Sequence, residues 1–461
     1  MASIGTNYDP TTTAQALATS ATAAQQAILT RQSTAAAATE KALGTLSSAL
    51  SSFQGSLAGL AGVGKTLAAT SAVFSDTSVA SATAASTASA GTYSFFVEQL
   101  ASAHQVSYSG VKDITGTAGG TLKFDSMVGE PPAPVAQFTL TLGNRAYTVR
   151  EMAAAINSEP TNSGVQASVV TGTDANGAAF SELVLTSRLT GKANNIKLTP
   201  GGAAVTSFGT STMNELTPAQ DAIVRIGSGA GTATYSATNT FNVVDGVTVT
   251  VSKAQAAGSA PVTLTVGADT SKTTANVQAF VDAYNKLKSS IDELVSPGDP
   301  ASSTKAGAFA GDSGVRALRD RLVSLVRASG TPSLASFGII ANRQGTLSVD
   351  STRLTKALAA DPTGLNTLIG SASSTASSGI AGKLDTYIKV WTNSVNGQIS
   401  SRKGEVARLQ RTVTDRQATI DRQYDSAYTR YLAQFTQLQS IQSSMSYNTS
   451  LFDNMFSSNK D

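Results

Sequence analysis

The chain has 461 residues, of which 41% are hydrophobic, 6% aromatic and 14% charged, and it carries a net charge of +3. That length suggests two to four domains with room for packed cores. The absence of cysteine excludes disulfides, thiolate metal sites and cysteine nucleophiles, and the small, spread basic excess gives no nucleic-acid footprint.

The first 30 residues contain neither Lys nor Arg and no continuous apolar block. A cleaved apolar export signal is therefore not expected. No apolar run reaches the length of a membrane span, so no membrane insertion is expected either.

From Gln25 to Leu60 the chain lacks proline and reads as helix. Leu29, Ala36, Leu43, Leu50 and Leu57 recur every seven residues. Leu46, Phe53 and Leu60 form a second row three residues on. Alternate spacings of three and four are the seam of a coiled coil.

The middle of the chain changes period. Tyr93, Phe95 and Val97 alternate with smaller or polar residues, as do Phe138, Leu140 and Leu142, Val247, Val249 and Val251, and Val262, Leu264 and Val266. Turn residues such as Asp174-Ala175-Asn176-Gly177 and Asp245-Gly246 separate these runs, which is antiparallel strand grammar. One short helix is predicted near Val149–Asn157 and a longer one at Asn276–Leu294, with Phe280, Tyr284, Leu287 and Ile291 on one face. Further helices are predicted near Val315–Val326 and Ser351–Ala359. The Ser/Thr/Ala-rich stretches Ser75–Ala90 and Gly370–Gly379 mark boundaries.

The C-terminal end returns to the seven-residue grammar. Ile399, Val406, Val413, Ile420 and Ile441 share one row, and Leu409 sits on a partner row. The seam is weaker than the N-terminal one because Arg402, Arg416 and Arg430 occupy other seam places and Gly404 interrupts it. The last stretch is amphipathic and includes Phe435, Leu438, Ile441, Met445 and Phe452. It either completes the coil core or docks a partner.

These patterns predict an α+β multidomain protein. Its N- and C-terminal ends form an antiparallel coiled coil, with a helix-containing leg domain and inserted antiparallel β-rich head domains. The expected boundaries are 1–70 for the N-terminal coil, 71–115 with 270–375 for the leg, 116–215 and 216–269 for two heads, and 376–461 for the C-terminal coil. Candidate assembly residues are Leu43, Leu46, Leu50, Phe53, Leu57, Leu60, Ile399, Val406, Leu409, Val413 and Ile420. Phe435, Leu438, Ile441, Met445 and Phe452 form a candidate partner helix.

Two motifs suggest chemistry and fail on context. Gly59-Leu60-Ala61-Gly62-Val63-Gly64-Lys65-Thr66 fits the phosphate-loop spacing, but that loop needs a buried strand before it and a helix after it. Here a heptad helix precedes it, so the glycines read as a helix stop. His104 is the single histidine and is read as a surface or strand-end residue, without the partners of a metal or catalytic site. No catalytic residue, cofactor or metal is expected.

The order of short segments carries a resemblance. Gly91-Thr92-Tyr93 with Gln99-Leu100-Ala101, Ala155-Ile156-Asn157, Phe280-Val281-Asp282-Ala283-Tyr284-Asn285, Gly311-Asp312-Ser313, Phe337-Gly338-Ile339 and Tyr431-Leu432-Ala433-Gln434-Phe435 follow one another as in the flagellar filament cap family (FliD, or hook-associated protein 2). Together they cover about Tyr93 to Phe456. Gly5-Thr6-Asn7-Tyr8-Asp9 departs from that family's Gly-Ser-Gly-Leu-Asp.

The resemblance implies a non-enzymatic structural cap at the distal tip of the filament, secreted and extracellular. It implies a ring-shaped homo-oligomer, expected to be a pentamer, that retains exported flagellin and promotes its insertion. Implied partners are flagellin, the hook–filament junction proteins and an export chaperone acting on the C-terminal helix. The alternatives are a surface adhesin, another hook-associated protein, or, on Gly59–Thr66 alone, a nucleotide hydrolase.

Overall fold

A computed structural model of the chain describes residues 9–109, 111, 114–115, 120–128, 133–201, 212–327, 332–373 and 375–457. Eight α-helices lie among them: α1 (Pro10–Ala61), α2 (Val149–Ser158), α3 (Thr270–Val295), α4 (Ser313–Val326), α5 (Ser351–Ala360), α6 (Gly364–Ile369), α7 (Gly379–Thr392) and α8 (Gln398–Ser457). The chain divides into a helical unit, Met1–Leu67 with Thr274–Asp461, and a strand-built unit, Ala68–Thr273.

In the helical unit, α1 starts well before the predicted Gln25. Asp9 is its N-cap and accepts from the amides of Thr11 and Thr12, both at 3.1 Å, while Pro10 opens the first turn. The remainder of the Gly5–Asp9 segment lies outside the described residues. At the far end the helix stops before Gly62, and the Ala61 carbonyl accepts from the Ala372 amide at 2.8 Å.

The base of α1 is embedded in the core. Leu43, Leu46, Leu50, Phe53 and Leu57 are buried in one cluster with Val277, Phe280, Tyr284, Leu287 and Ile291 of α3, Leu318 and Leu322 of α4, and Leu384, Ile388 and Trp391 of α7. The Phe53 ring lies 6.4 Å from that of Phe280 and 6.4 Å edge-on from that of Tyr284. Asn285 clamps the hairpin β18 (Ile339–Ala341) and β19 (Leu347–Val349): its side chain donates to the Leu347 carbonyl at 2.8 Å and accepts from the Leu347 amide at 2.9 Å. Gly338, ahead of β18, has φ +74°, and a Cβ there would meet the Asp350 carbonyl at 2.5 Å, so only glycine fits.

The strand-built unit holds two cores. Around the first, the strands run β1–β17–β3–β13–β14, all antiparallel: Ala69–Phe74, Val262–Asp269, Gly91–Gln99, Ala222–Ile226 and Thr232–Ser236. Beside them β15 (Thr240–Val244), β16 (Val247–Val251) and β2 (Ala80–Ala84) form a second sheet. Phe74, Phe95, Val97, Val224, Phe241, Val249 and Leu264 share this core.

Around the second core, β12 (Thr212–Thr217), β4 (Ala103–Ser109), β10 (Ala179–Thr190) and β9 (Val165–Thr173) pair in that order. They are joined by β11 (Lys197–Gly201), β6 (Gly120–Val128) and β7 (Ala133–Leu142), by the short pair β5 (Ile114–Thr115) and β8 (Ala146–Tyr147), and by α2. Val106, Leu122, Phe124, Met152, Ile156, Leu183 and Leu185 fill it.

The expected grouping of 71–115 with 270–375 is corrected here. β1, β2 and β3 pair with β17, β16 and β13, and β4 pairs with β10 and β12, so backbone hydrogen bonding commits all four to the strand-built unit. The boundary stretch Ser75–Ala90 contains the strand β2. The C-terminal coil is also shorter than 376–461. α7 carries Ile380, Leu384, Ile388 and Trp391 into the helical core instead.

The Ile156-Asn157 pair has a structural role. Ile156 is buried, and Asn157 donates to the Ala167 carbonyl at 2.7 Å and accepts from the Ala167 amide at 2.9 Å, pinning α2 to β9. The start of α2 is a capping box. Glu151 accepts from the Thr148 amide at 2.9 Å and also from Arg145 Nη1 at 2.9 Å. The Thr148 amide and the Arg145 guanidinium together hold the Glu151 carboxyl down at about 2.

Because that value lies below the ordinary 4.5, the stabilising effect of Glu151 is complete above 4.5 and is lost as pH falls toward about 2. The protection of the 149–158 amides, taken as the ratio of the intrinsic exchange rate at each pH to the observed one, is expected to fall in that window, and Glu151→Gln to remove that fall. In the helical core, Phe53→Ala is expected to lower stability by about 3–5 kcal/mol, followed by Trp391 fluorescence during denaturation. The buried Tyr284 hydroxyl has no hydrogen-bond partner among the described residues. Tyr284→Phe is therefore expected to stay within about 1 kcal/mol of the parent or to exceed it.

Candidate assembly surface

The two motifs with chemical overtones resolve structurally. Gly59–Ala61 close the last turn of α1, Gly64 has φ +68°, and β1 begins at Ala69. Helix then strand is the reverse of the order that a phosphate loop requires. His104 is buried at the start of β4, so the strand-end alternative holds and the surface one does not. Its Nδ1 accepts from the Ile196 amide at 2.8 Å, and its Nε2 lies 3.1 Å from Glu215 Oε1, so the ring staples β4 to β12 and to the approach to β11. Among the described residues no group of three or more His, Asp or Glu is placed to hold a metal ion, and no helix is long and apolar enough to cross a membrane.

The seam between α1 and α8 is antiparallel. Gln26 and Gln417 exchange side-chain amide hydrogen bonds at 2.9 and 3.0 Å, Arg416 donates to Gln32 at 3.3 Å, and Gln410 donates to Glu40 at 2.7 Å. Ile399, Val406 and Ile420 are buried as one row of α8, Val413 is half-buried on that row, and Leu60 is half-buried at the base of α1.

Leu409 departs from its expected place, being 41% exposed. The second row lies four residues on rather than three, at Gln410, Gln417, Tyr424 and Tyr431, all half-buried. Opposite the upper tyrosines α1 is built from small residues, with Ala14, Ala18 and Thr22 buried. Large aromatic residues on one helix meet small ones on the other, so the backbones stay close without Leu. A scan for apolar periodicity passes over this row because its members are Gln and Tyr.

The base of the coil is latched. Asp312 caps α4 by accepting from the Val315 amide at 2.9 Å, and Arg402 of α8 grips the same carboxylate with both terminal nitrogens, Nη2 at 3.1 Å. The guanidinium lies 5.5 Å from the centre of the Trp391 ring. Trp391 is the single tryptophan of the chain. In sequence, Arg402 on a seam row was the one visible sign of this latch.

The far end of α8 has no companion helix among the described residues. Counting along the antiparallel pair from Gln26–Gln417 puts Pro10 near Ala433, while α8 continues to Ser457. At about 1.5 Å per residue the overhang is roughly 36 Å long. In it the second row turns apolar at Leu438, Met445 and Phe452, and the first row carries Ile441. These four are 41%, 64%, 59% and 50% exposed, whereas Phe435, before them, is half-buried.

Two stretches of the chain match one family. Residues 6–104 match the Flagellar hook-associated protein 2 N-terminus and 219–447 the C-terminus. The lateral flagellar hook-associated protein 2 of Vibrio parahaemolyticus is 32% identical over 371 residues, 78% of this chain and 80% of that one. The chain belongs to the flagellar hook-associated protein 2 family. Within that family, the Escherichia coli K12 member is 29% identical over 463 residues, covering 94% of this chain and 95% of its own length. The crystal structure of the flagellar cap protein FliD D1-D2-D3 domains from Escherichia coli superposes with a TM-score of 0.60 at 26% identity, over 79% of this chain and 99% of that one.

Removing the latch gives a graded outcome. Asp312→Ala loses both the α4 cap and the ion pair, whereas Asp312→Asn keeps an acceptor for the cap. The alanine variant is expected to destabilise the helical unit by about 1–2 kcal/mol more than the asparagine variant. Trp391 fluorescence during urea unfolding measures the difference. The Arg402 guanidinium holds the Asp312 carboxyl below its ordinary value. The latch is thus at full strength above the usual carboxylate range and weakens as pH falls through the lowered value.

Proposed function

We propose that this chain is a structural, non-catalytic cap at the distal end of the flagellar filament. Copies assemble into a ring, expected to hold five subunits, through their strand-built heads. The helical coil serves as a leg that engages the growing end, where the cap retains flagellin and promotes its folding and insertion. Export chaperone and junction proteins are its other expected partners, and its place is extracellular. Family membership and the likeness to a protein described as a flagellar cap support this reading.

The observation that carries it furthest is the apolar overhang of α8. A soluble protein rarely leaves so long an apolar stripe exposed unless it docks on something. Leu438, Ile441, Met445 and Phe452 are spaced as the seam of a helix pair, so the partner they fit is another amphipathic helix. Leu43–Leu60 and Ile399–Ile420 serve the leg itself.

Deleting the gene is expected to release unpolymerised flagellin into the medium and to leave hooks without filaments. Normal filaments and normal swimming would overturn the proposal. A second experiment isolates the overhang. The triple variant Leu438→Ser, Met445→Ser, Phe452→Ser is expected to unfold like the parent by Trp391 fluorescence, since none of the three sits in the core. It is also expected to fail to restore filaments to the deletion strain. Full restoration of filament growth would remove the overhang from the mechanism.

A further inference from the structure

We infer that Asn176 is the site at which this protein converts spontaneously from amide to acid. The chain has two Asn–Gly pairs, Asn176-Gly177 and Asn396-Gly397, and the fold treats them oppositely. Asn176 is exposed at the tip of the β9–β10 hairpin. Gly177 has φ +82°, and nothing lies within 4 Å of where a Cβ would be. The Gly177 amide donates one bond, to the Asp174 carbonyl at 3.0 Å, at the solvated end of the hairpin. Such terminal bonds open most readily.

Asn396-Gly397 is held from both sides. Gly397 is buried, its amide donates to the Asn393 carbonyl at 3.0 Å, and its own carbonyl accepts from the Ser401 amide at 3.0 Å in the first turn of α8. A Cβ on Gly397 would lie 2.3 Å from the Asn393 oxygen, so this backbone has no room to turn.

The step needs only water. When the tip opens, the Gly177 nitrogen loses its proton to solvent and attacks Asn176 Cγ. The bond from Cγ to the side-chain nitrogen breaks and ammonia leaves, giving a five-membered imide. Water then opens either imide carbonyl, leaving aspartate or isoaspartate at 176. The product places a second carboxylate beside Asp174, whose Oδ1 already accepts from the amides of Asn176 and Ala178 at 2.9 and 2.8 Å. The isoaspartate form also lengthens the main chain next to the Ala179–Thr173 pairing.

The test is peptide mapping of the full chain aged in mildly alkaline buffer, with mass and isoaspartate detection, alongside a sample held in urea. In the folded chain Asn176 is expected to convert roughly tenfold faster than Asn396, equivalent to about 1.4 kcal/mol of opening free energy. In urea the two rates should converge. Asn176→Gln should remove most of the isoaspartate signal. Equal rates in the folded chain, faster conversion at Asn396, or an isoaspartate signal that survives in Asn176→Gln would each overturn the inference.

Discussion

The packing of Phe53 against Phe280 and Tyr284 is the contact on which the helical architecture depends. It fixes one end of a 52-residue helix inside a core while the other end runs free of that core. The large residues Leu43, Leu46, Leu50, Phe53 and Leu57 all lie in the same half of α1. Each contributes roughly 1.5–3 kcal/mol on burial. The other half buries one large side chain, Leu29, among Ala14, Ala18, Thr22 and Ala36, whose smaller side chains contribute far less. α1 is therefore a beam clamped at its base and loosely paired along its length. The Arg402–Asp312 latch repeats the asymmetry on α8, because it too sits at the base.

Much of this was legible in sequence, and the failures have physical causes. Seven-residue recurrence located both ends of the coil because Leu, Ile and Val recur there. It misplaced Leu409 because spacings of three and four both satisfy a seam, and the true second row, Gln410, Gln417, Tyr424 and Tyr431, is not apolar. α7 was visible in principle: Ile380, Leu384, Ile388 and Trp391 follow helical spacing. Its proximity to a Ser-rich boundary and to the coil drew it into the wrong element. Strand positions were legible from alternation, but strand partners were not. β3 and β4 are separated by only three residues and enter different sheets, and local patterning holds no information about long-range pairing. The phosphate-loop spacing at Gly59–Thr66 is the converse case, a local pattern whose meaning depended on the order of its neighbours.

The change of character along one row of α8 links structure to role. Where α8 has a companion in its own chain, the row is Gln410, Gln417, Tyr424 and Tyr431. Where no companion helix lies among the described residues, the row becomes Leu438, Met445 and Phe452. Were the sequence selected for a stable isolated two-helix coil, the apolar residues would lie opposite α1 and the polar ones beyond it. On this second row the observed order is the opposite, while the first row keeps Ile399, Val406 and Ile420 buried along the paired stretch. Polar contacts across the paired stretch, such as Gln26–Gln417, exchange with water at a net difference of about 1 kcal/mol each. That part of the coil can open without a large penalty. The exposed apolar side chains of the overhang are the costlier ones to leave in water.

This distribution makes the leg a graded joint. Base contacts dominated by Leu and Phe persist when outer contacts break, so opening begins at the end of α1 near Asp9 and proceeds toward Leu43. Apart from Pro10 and Leu29, the buried residues along that stretch of α1 are Ala and Thr. Opening also uncovers Val413 and Ile420 on α8, whose row passes through Ala427 and Gln434 before it reaches Ile441. Displacement of α1 that proceeds inward ends at the Leu43–Leu57 segment and the Arg402 latch. The latch sits where such displacement has to stop if the helical core is to stay folded.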